Sequence, residues 1–298
     1  MRKTVPDIAA RKGPNAAPLV CLTAYTAPMA AALDPLCDVI LVGDSIAMVV
    51  YGEPSTLQAD MDMMIRHGRA VQNASKEALV VVDMPFGSYQ ESKETAFKNA
   101  ALIMKETGVP AVKLEGGIEM VETIAYLTSR GIPTMGHIGL QPQSVNTMGG
   151  FKTQGRDEAG AAKILNDAKM IAKAGAFAIV LEGVAESLAA EITKAVRCPV
   201  IGIGASAVCD GQILVTEDML GITQGKKPKF VKEYAALGGD ITKAVQSYAD
   251  DVRARRFPTQ ANTYQAQNSN APITVQQQSK PSSPLQGVLR AIPRRNNE

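Results

Sequence analysis
The chain has 298 residues, 46% of them hydrophobic, and 31 Lys and Arg against 29 Asp and Glu for a formal charge of +2. That length holds one large barrel or two smaller domains, and that apolar content supports a full, largely aliphatic core. So small a charge excess points to neither nucleic acid nor an anionic membrane surface as a partner.

Leu19–Ala24 reads as a first strand and Tyr25–Leu36 as an Ala-rich helix. Val39–Val42 is a short apolar run ending in Gly43–Asp44–Ser45, the pattern of a strand buried on both faces. Gly52, Pro54 and Ser55 break any period in Met48–Ala59, so a loop is expected there. Asp60–Asn73 is a helix with Met64, Ile65 and Gly68 toward the core. Leu79–Val82 is a strand that ends at Asp83. Ser92–Thr107 is a helix with Phe97, Ala100, Ala101 and Met104 as its apolar stripe, stopped by Gly108 and Pro110. Ala111–Leu114 is a strand ending at Glu115. A helix over Ile118–Ser129 and a strand over Pro133–Gly136 follow. His137–Arg156 is rich in Gly, Gln, Ser and Asn, and an irregular stretch that long is usually functional. The rest reads as helix Asp157–Ala174, strand Ala178–Leu181 ending at Glu182, helix Ser187–Val196, strand Val200–Ile203, short strand Ile213–Val215 and helix Ile241–Ala254.

Strict alternation of strand and helix predicts a parallel α/β protein, and eight strands suit a (β/α)8 barrel. A doubly wound open sheet is the alternative. No G-x-G-x-x-G follows the first strand and no P-loop occurs, so nucleotide binding of either common type is unsupported. Residues 1–257 are expected to form the one catalytic domain. Residues 258–298 are Gln-, Asn-, Ser- and Pro-rich and are expected to be a disordered tail, with a docking motif around Val288–Ile292 as the alternative. The tail carries Lys280, Arg290, Arg294 and Arg295 against Glu298, or +3, which leaves −1 for the rest (+2 minus +3).

Cys21, Cys37, Cys198 and Cys209 form no C-x-x-C pair, and with two histidines the chain cannot assemble a Cys/His zinc site at the usual spacings. Reduced thiols in a cytoplasmic protein are the expectation. Arg2, Lys3, Arg11 and Lys12 precede no apolar h-region, and no run is long enough to span a bilayer, so neither secretion nor membrane insertion is expected.

The strand ends carry the chemistry. Asp44, Asp83, Glu115 and Glu182 each follow a buried run directly, and in a parallel α/β protein all strands end on one side, where active sites are built. Asp44 and Asp83, from adjacent strands, can share one hard cation such as Mg²⁺, which takes few carboxylates and keeps room for a chelating substrate. An ion pair with Lys113 is the plainer alternative. Lys113 and Glu115 point to the same face of their strand. That fits a Lys binding substrate oxygens beside an outer acid, and equally a buried Lys–Glu pair. Glu182, across the barrel, fits a general base among apolar neighbours or a structural hydrogen-bond acceptor. His137 and mid-helix His67 are each either functional or structural. Gly202–Ser206 resembles a backbone anion cradle, a weak signal.

A resemblance rests on eight stretches in order. They are LVGDS at Leu41–Ser45, VVDMPF at Val81–Phe86, VKLEGG at Val112–Gly117 and GHIGLQPQSVN at Gly136–Asn146. GGFKTQGR at Gly149–Arg156, VIGIGA at Val200–Ala205, DGQILV at Asp210–Val215 and PKF at Pro228–Phe230 complete them. Over Leu22–Tyr248 the chain resembles the 3-methyl-2-oxobutanoate (ketopantoate) hydroxymethyltransferase family. The resemblance implies a barrel of the phosphoenolpyruvate/pyruvate type in a homodecamer. It implies hydroxymethyl transfer from 5,10-methylenetetrahydrofolate to 3-methyl-2-oxobutanoate through a Mg-stabilised enolate, giving 2-dehydropantoate, the first step toward pantothenate. It implies Asp44 and Asp83 as Mg²⁺ ligands, one ion per subunit, with Glu115 completing the metal site through water. Asp44, Ser45, Asp83 and Lys113 would contact the keto acid, Glu182 would accept the proton, and His137 would line the pocket. The chain departs from the family pattern at Gln58–Ala59–Asp60, Arg66 and Ser206, and none of these removes a carboxylate or Lys113.

Two other readings share parts of this pattern. A related barrel lyase acting on 2-oxo or 2-hydroxy acids would use the same metal–enolate logic without folate, but it would carry a Cys-Gly-His loop where this chain has PQSVN. A non-catalytic keto-acid sensor would not need all four acids and Lys113.

Overall fold
The computed structural model of the chain describes residues 2–223, 225 and 227–265. Eight parallel strands close in sequence order into a barrel: β1 Leu19–Thr23, β2 Val39–Val42, β3 Leu79–Asp83, β4 Ala111–Glu115, β5 Thr134–Gly139, β6 Ala178–Glu182, β7 Val200–Ile203 and β8 Gly211–Leu214. β8 pairs back onto β1, so no sheet edge is left and the open-sheet alternative falls. The helices are α1 Val5–Ala9, α2 Ala27–Leu33, α3 Ile46–Val49, α4 Met61–Ala74, α5 Lys93–Thr107, α6 Val121–Thr128, α7 Val145–Met148, α8 Glu158–Lys173, α9 Glu186–Ala195, α10 Thr216–Met219 and α11 Leu237–Arg253. Asp60, Ser92 and Asp157 start α4, α5 and α8 by accepting a bond from the N–H three residues on, and left-handed Gly108 ends α5.

Period-two alternation divides every strand between two apolar layers. Ile40, Val42, Val80, Val82, Val112, Leu114, Ile138, Ile179 and Leu181 face the helices. Leu19, Cys21, Val39, Leu41, Leu79, Val81, Ala111, Met135, Ala178, Val180, Ile201 and Ile213 fill the barrel, together with Ile8 of α1. The next inward positions toward the carboxyl ends are Asp83, Lys113, Glu115, His137 and Glu182. The same parity that packs the core therefore aims the polar residues into the barrel mouth.

Several elements differ from expectation. The expected loop at Met48–Ala59 contains the end of α3 and a 3₁₀ turn, Thr56–Gln58. β5 runs on to Gly139, which places His137 inside the strand rather than beyond its end. The expected long loop holds a 3₁₀ turn at Pro142–Ser144 and then α7. The buried face of α5 is Ala96, Ala100, Ile103 and Thr107, with Phe97, Ala101 and Met104 half-buried at its side. Thr107 can be buried because its hydroxyl donates to the Ile103 carbonyl at 2.6 Å. β8 begins two residues before Ile213, and α11 four residues before Ile241.

The chain divides into a compact unit that ends at Thr242 and contains the barrel, and a second that begins at Lys243; α11 passes through the division. Of the expected tail, Pro258–Gln265 is described, with a 3₁₀ turn at Gln260–Asn262, while residues 266–298 lie outside the described residues. Among the described residues no helix is long and apolar enough to cross a membrane. All four cysteines are buried and free.

Candidate active site
Asp83 and Lys113 are paired across β3 and β4, and Glu115 and His137 across β4 and β5. Gly139 pairs with Glu182 across β5 and β6. Asp44 lies beyond β2, where strand parity no longer holds. The chain turns at Gly43 instead, and the Asp44 N–H donates to Asp83 Oδ2 at 3.0 Å. Gly43 permits that turn because a Cβ there would stand 2.8 Å from Ser45 Oγ. Gly139 has φ +90°, and a Cβ would meet the Glu182 carbonyl oxygen at 2.3 Å, so only Gly brings β5 this close to Glu182. Ser45 Oγ lies 2.8 Å from the Tyr25 hydroxyl.

The charged groups interlock. Lys113 Nζ lies 3.2 Å from Asp83 Oδ1, so the lysine's carboxylate partner is Asp83 and not Glu115. Glu115 Oε1 lies 3.3 Å from His137 Nδ1, and His137 Nε2 lies 3.2 Å from Glu182 Oε2. The expected apolar surroundings of Glu182 thus include a histidine. Burial and the Lys113 charge push the His137 imidazole down, but Glu115 and bonds to Glu115 and Glu182 outweigh them and raise it to about 9. His137 Nδ1 also lies 3.2 Å from Lys113 Nζ. Burial also lowers the Lys113 ammonium, yet Asp83, Glu115 and Asp44 together hold it above the ordinary lysine value.

Burial, then the neighbouring Asp83 and Glu115 charges, push the Asp44 carboxyl well up. Burial pushes Asp83 up as well, against the pull of Lys113. For Glu115 burial is outweighed by His137 and Lys113, and its carboxyl is lowered. Four acids, Asp44, Asp83, Glu115 and Glu182, here meet Lys113 and His137. Buried Asp83 Oδ1 and Glu115 Oε1 have no aligned hydrogen-bond donor among the described residues. Buried acids that outnumber their basic partners suit a divalent cation. Among the described residues no three or more His, Cys, Asp or Glu side chains are grouped so that they could hold a metal ion.

Two buried residues that sequence reasoning did not single out tie the acids together. Gln143 Nε2 donates to Asp44 Oδ2 at 2.8 Å and to the Met84 carbonyl at 3.0 Å. Its backbone N–H donates to Glu115 Oε2 at 3.0 Å, and its Oε1 accepts from the Tyr89 hydroxyl at 2.6 Å. That hydroxyl in turn accepts from the Glu115 N–H at 3.0 Å. Gln143 stands inside the PQSVN stretch, so a signal existed, but an amide in a polar loop carries no period. Tyr89 left no signal beyond being an aromatic in a chain that has few.

The remaining candidates are structural in their contacts. His67 Nδ1 bonds the Tyr25 carbonyl at 2.6 Å and its Nε2 the Tyr51 hydroxyl at 3.0 Å. At the Gly202–Ser206 turn, Ser206 is buried and its hydroxyl donates to Glu186 Oε1 at 2.7 Å. Gly204 has φ +61° and lies against Phe230. The departures from the family pattern are likewise accommodated: Asp60 caps α4, and Arg66 makes an exposed i,i+4 pair with Asp62.

A family model described as Ketopantoate hydroxymethyltransferase matches residues 2–260. The 3-methyl-2-oxobutanoate hydroxymethyltransferase of Caulobacter vibrioides (strain NA1000 / CB15N) is 62% identical over 265 residues, covering 89% of this chain and 95% of that protein. The protein of the same name from Rhodospirillum rubrum is 60% identical over 257 residues, 86% of this chain and 92% of that protein. Among solved structures, phosphonopyruvate hydrolase matches with a TM-score of 0.54 at 13% identity, over 89% of this chain and 92% of that one. Phosphoenolpyruvate phosphomutase from Streptomyces platensis subsp. rosaceus matches with a TM-score of 0.53 at 12% identity, over 81% and 84%. Those two likenesses are of fold, a barrel of the phosphoenolpyruvate/pyruvate type. With the family match and both close relatives spanning the whole barrel, this chain belongs to the ketopantoate hydroxymethyltransferase family.

Proposed function
We propose that the chain transfers a hydroxymethyl group from 5,10-methylenetetrahydrofolate to 3-methyl-2-oxobutanoate and releases 2-dehydropantoate, the first step toward pantothenate. The observation that carries this is the convergence of Asp44, Asp83, Glu115, Lys113, His137 and Glu182 in one barrel mouth, in a chain of this family. Asp44 and Asp83 would hold one Mg²⁺ per subunit, with Glu115 reaching it through water. When bound, the ion supplies a Lewis acid that polarises the keto carbonyl and balances charge developing on its oxygen.

The chain's own groups divide the remaining work. Asp44, Ser45, Asp83 and Lys113 orient the keto acid. The Lys113 ammonium, held charged by the acids around it, adds positive charge where the enolate oxygen forms. Glu182 removes the proton from C3. His137, between Glu182 and Glu115, orients Glu182 and lines the pocket. The C3 carbanion then bonds to the methylene carbon, water supplies the hydroxyl, and tetrahydrofolate leaves, its two freed nitrogens taking the C3 proton and one proton from water.

The protein would work in the cytoplasm, where four buried free thiols stay reduced. It would work as a homo-oligomer, a decamer by family resemblance. Ile241, Val245, Tyr248 and Val252 support that assembly, since they form an exposed apolar stripe along α11 at 4-3-4 spacing. The residues beyond 257 would form a tail outside the catalytic domain. The test is turnover by the purified chain, with each component omitted in turn. Product should require keto acid, methylenetetrahydrofolate and a divalent ion together. Cleavage of a 2-oxo or 2-hydroxy acid without folate would support a lyase instead, and keto-acid binding without any turnover would support a sensor.

A further inference from the structure
Beside the acid cluster lies a cavity of about 520 Å³ that none of the residues so far given a role fills. Its size is that of a small-molecule site. On one side it is walled by Gly139, the last residue of β5 and the one that pairs with Glu182, and by Gln141 just beyond it. Its roof is the stretch after α7, anchored where the Gln154 N–H donates to the Gly183 carbonyl at 2.7 Å. Met148 and Ile164 give it an apolar wall. The cavity thus adjoins the strand end that pairs with Glu182.

Its charges are not balanced. The two acids in the lining are already engaged: Asp157 Oδ1 accepts from the Gly160 N–H at 2.8 Å, and Asp167 accepts from the Ile118 N–H at 3.0 Å and from Lys163 Nζ at 2.7 Å. Lys163 is thereby neutralised. The side chains of Lys152 and Arg156 have no hydrogen-bond or ion-pair partner among the described residues. What remains is an apolar wall and two unpaired cations. We infer that this cavity receives the aminobenzoyl-glutamate tail of the folate donor, with its two carboxylates on Lys152 and Arg156 and its ring against Met148 and Ile164. Arg can take a carboxylate in a bidentate pair, and the ring needs only apolar surface.

The assignment rests on the folate-dependent transfer proposed above, and the experiment separates the two. The KM for methylenetetrahydrofolate is compared with that for a methylenetetrahydropteroate whose benzoate carboxyl is capped as a methylamide, so that it carries no carboxylate, in wild type, Arg156→Gln, Lys152→Gln and Arg156→Lys. Each loss of charge should raise the KM for the folate about tenfold, the worth of one charge-assisted bond. It should change the KM for the pteroate less than about twofold, and Arg156→Lys should recover part of the loss. Equal losses for both donors would overturn the assignment, because a merely disturbed loop does not distinguish them. So would unchanged KM values for both. Absence of product from wild type with either donor would instead contradict the transfer reading itself.

Discussion

The Asp44 backbone N–H donates to Asp83 Oδ2 at 3.0 Å, while burial and the Asp83 charge push the Asp44 carboxyl well above its ordinary value. One acid therefore orients the loop that carries the other, and the two side chains repel. This is the pair proposed to hold the cation.

Asp44→Asn follows from that. A carboxyl raised by folding favours the folded state only while it is protonated, and the benefit is lost as pH rises through the folded value. At neutral pH without metal, Asp44 thus costs stability, and the isosteric amide should raise the melting temperature by roughly 2–4 °C. Saturating Mg²⁺ should raise the wild-type melting temperature and leave the variant's unchanged. Asp83→Asn should cost about a hundredfold or more in turnover while the fold persists. Thermal melts with and without Mg²⁺ check both, and full activity after exhaustive chelation would contradict the metal assignment.

Gln143 should matter without touching a reacting atom. Gln143→Leu keeps most of the volume but leaves Asp44 Oδ2, the Met84 carbonyl and the Tyr89 hydroxyl without the partners they now have. Outer partners of this kind are worth about 10- to 100-fold in metal affinity. Calorimetric titration with Mg²⁺ should show that loss, and Gln143→Asn should not rescue it because the shorter amide cannot span Asp44 and Tyr89. Wild-type Mg²⁺ affinity in Gln143→Leu would remove it from the site.

Much of this site could be read from the chain because barrel parity and hydrophobic alternation are the same signal. Val81 inward puts Asp83 inward, and Ala111 inward puts Lys113 and Glu115 inward. Asp44 was legible as the acid after a buried run, although parity alone would have aimed it outward, and only the turn at Gly43 re-aims it. What could not be read is which side chains of neighbouring strands touch. Lys113 meets Asp83 rather than Glu115, and Glu182 meets His137, because strand stagger and side-chain length decide who touches whom. The α5 stripe was misread because two alanines pack more closely than Phe97 can, and Thr107 hides its hydroxyl within its own helix.

The apolar stripe of α11 gives a prediction on assembly. Tyr248 is 57% exposed and Val245 60% exposed, and burying such surface is what subunit association supplies. Val245→Glu with Tyr248→Glu should shift the mass measured by light scattering toward smaller species. An unchanged mass would place the subunit contacts elsewhere.

In the proposed reaction Glu182 takes the C3 proton from a keto acid held at Asp44, Asp83 and Lys113. The most direct test of this step needs no folate. In D₂O with Mg²⁺, wild type should exchange the C3 proton of 3-methyl-2-oxobutanoate, followed by loss of the proton resonance. Glu182→Gln leaves the metal carboxylates untouched and should bind the keto acid while exchanging at least about a hundredfold more slowly. Exchange at the wild-type rate in Glu182→Gln would mean that another group removes the proton, and the assignment of Glu182 as the base would be wrong.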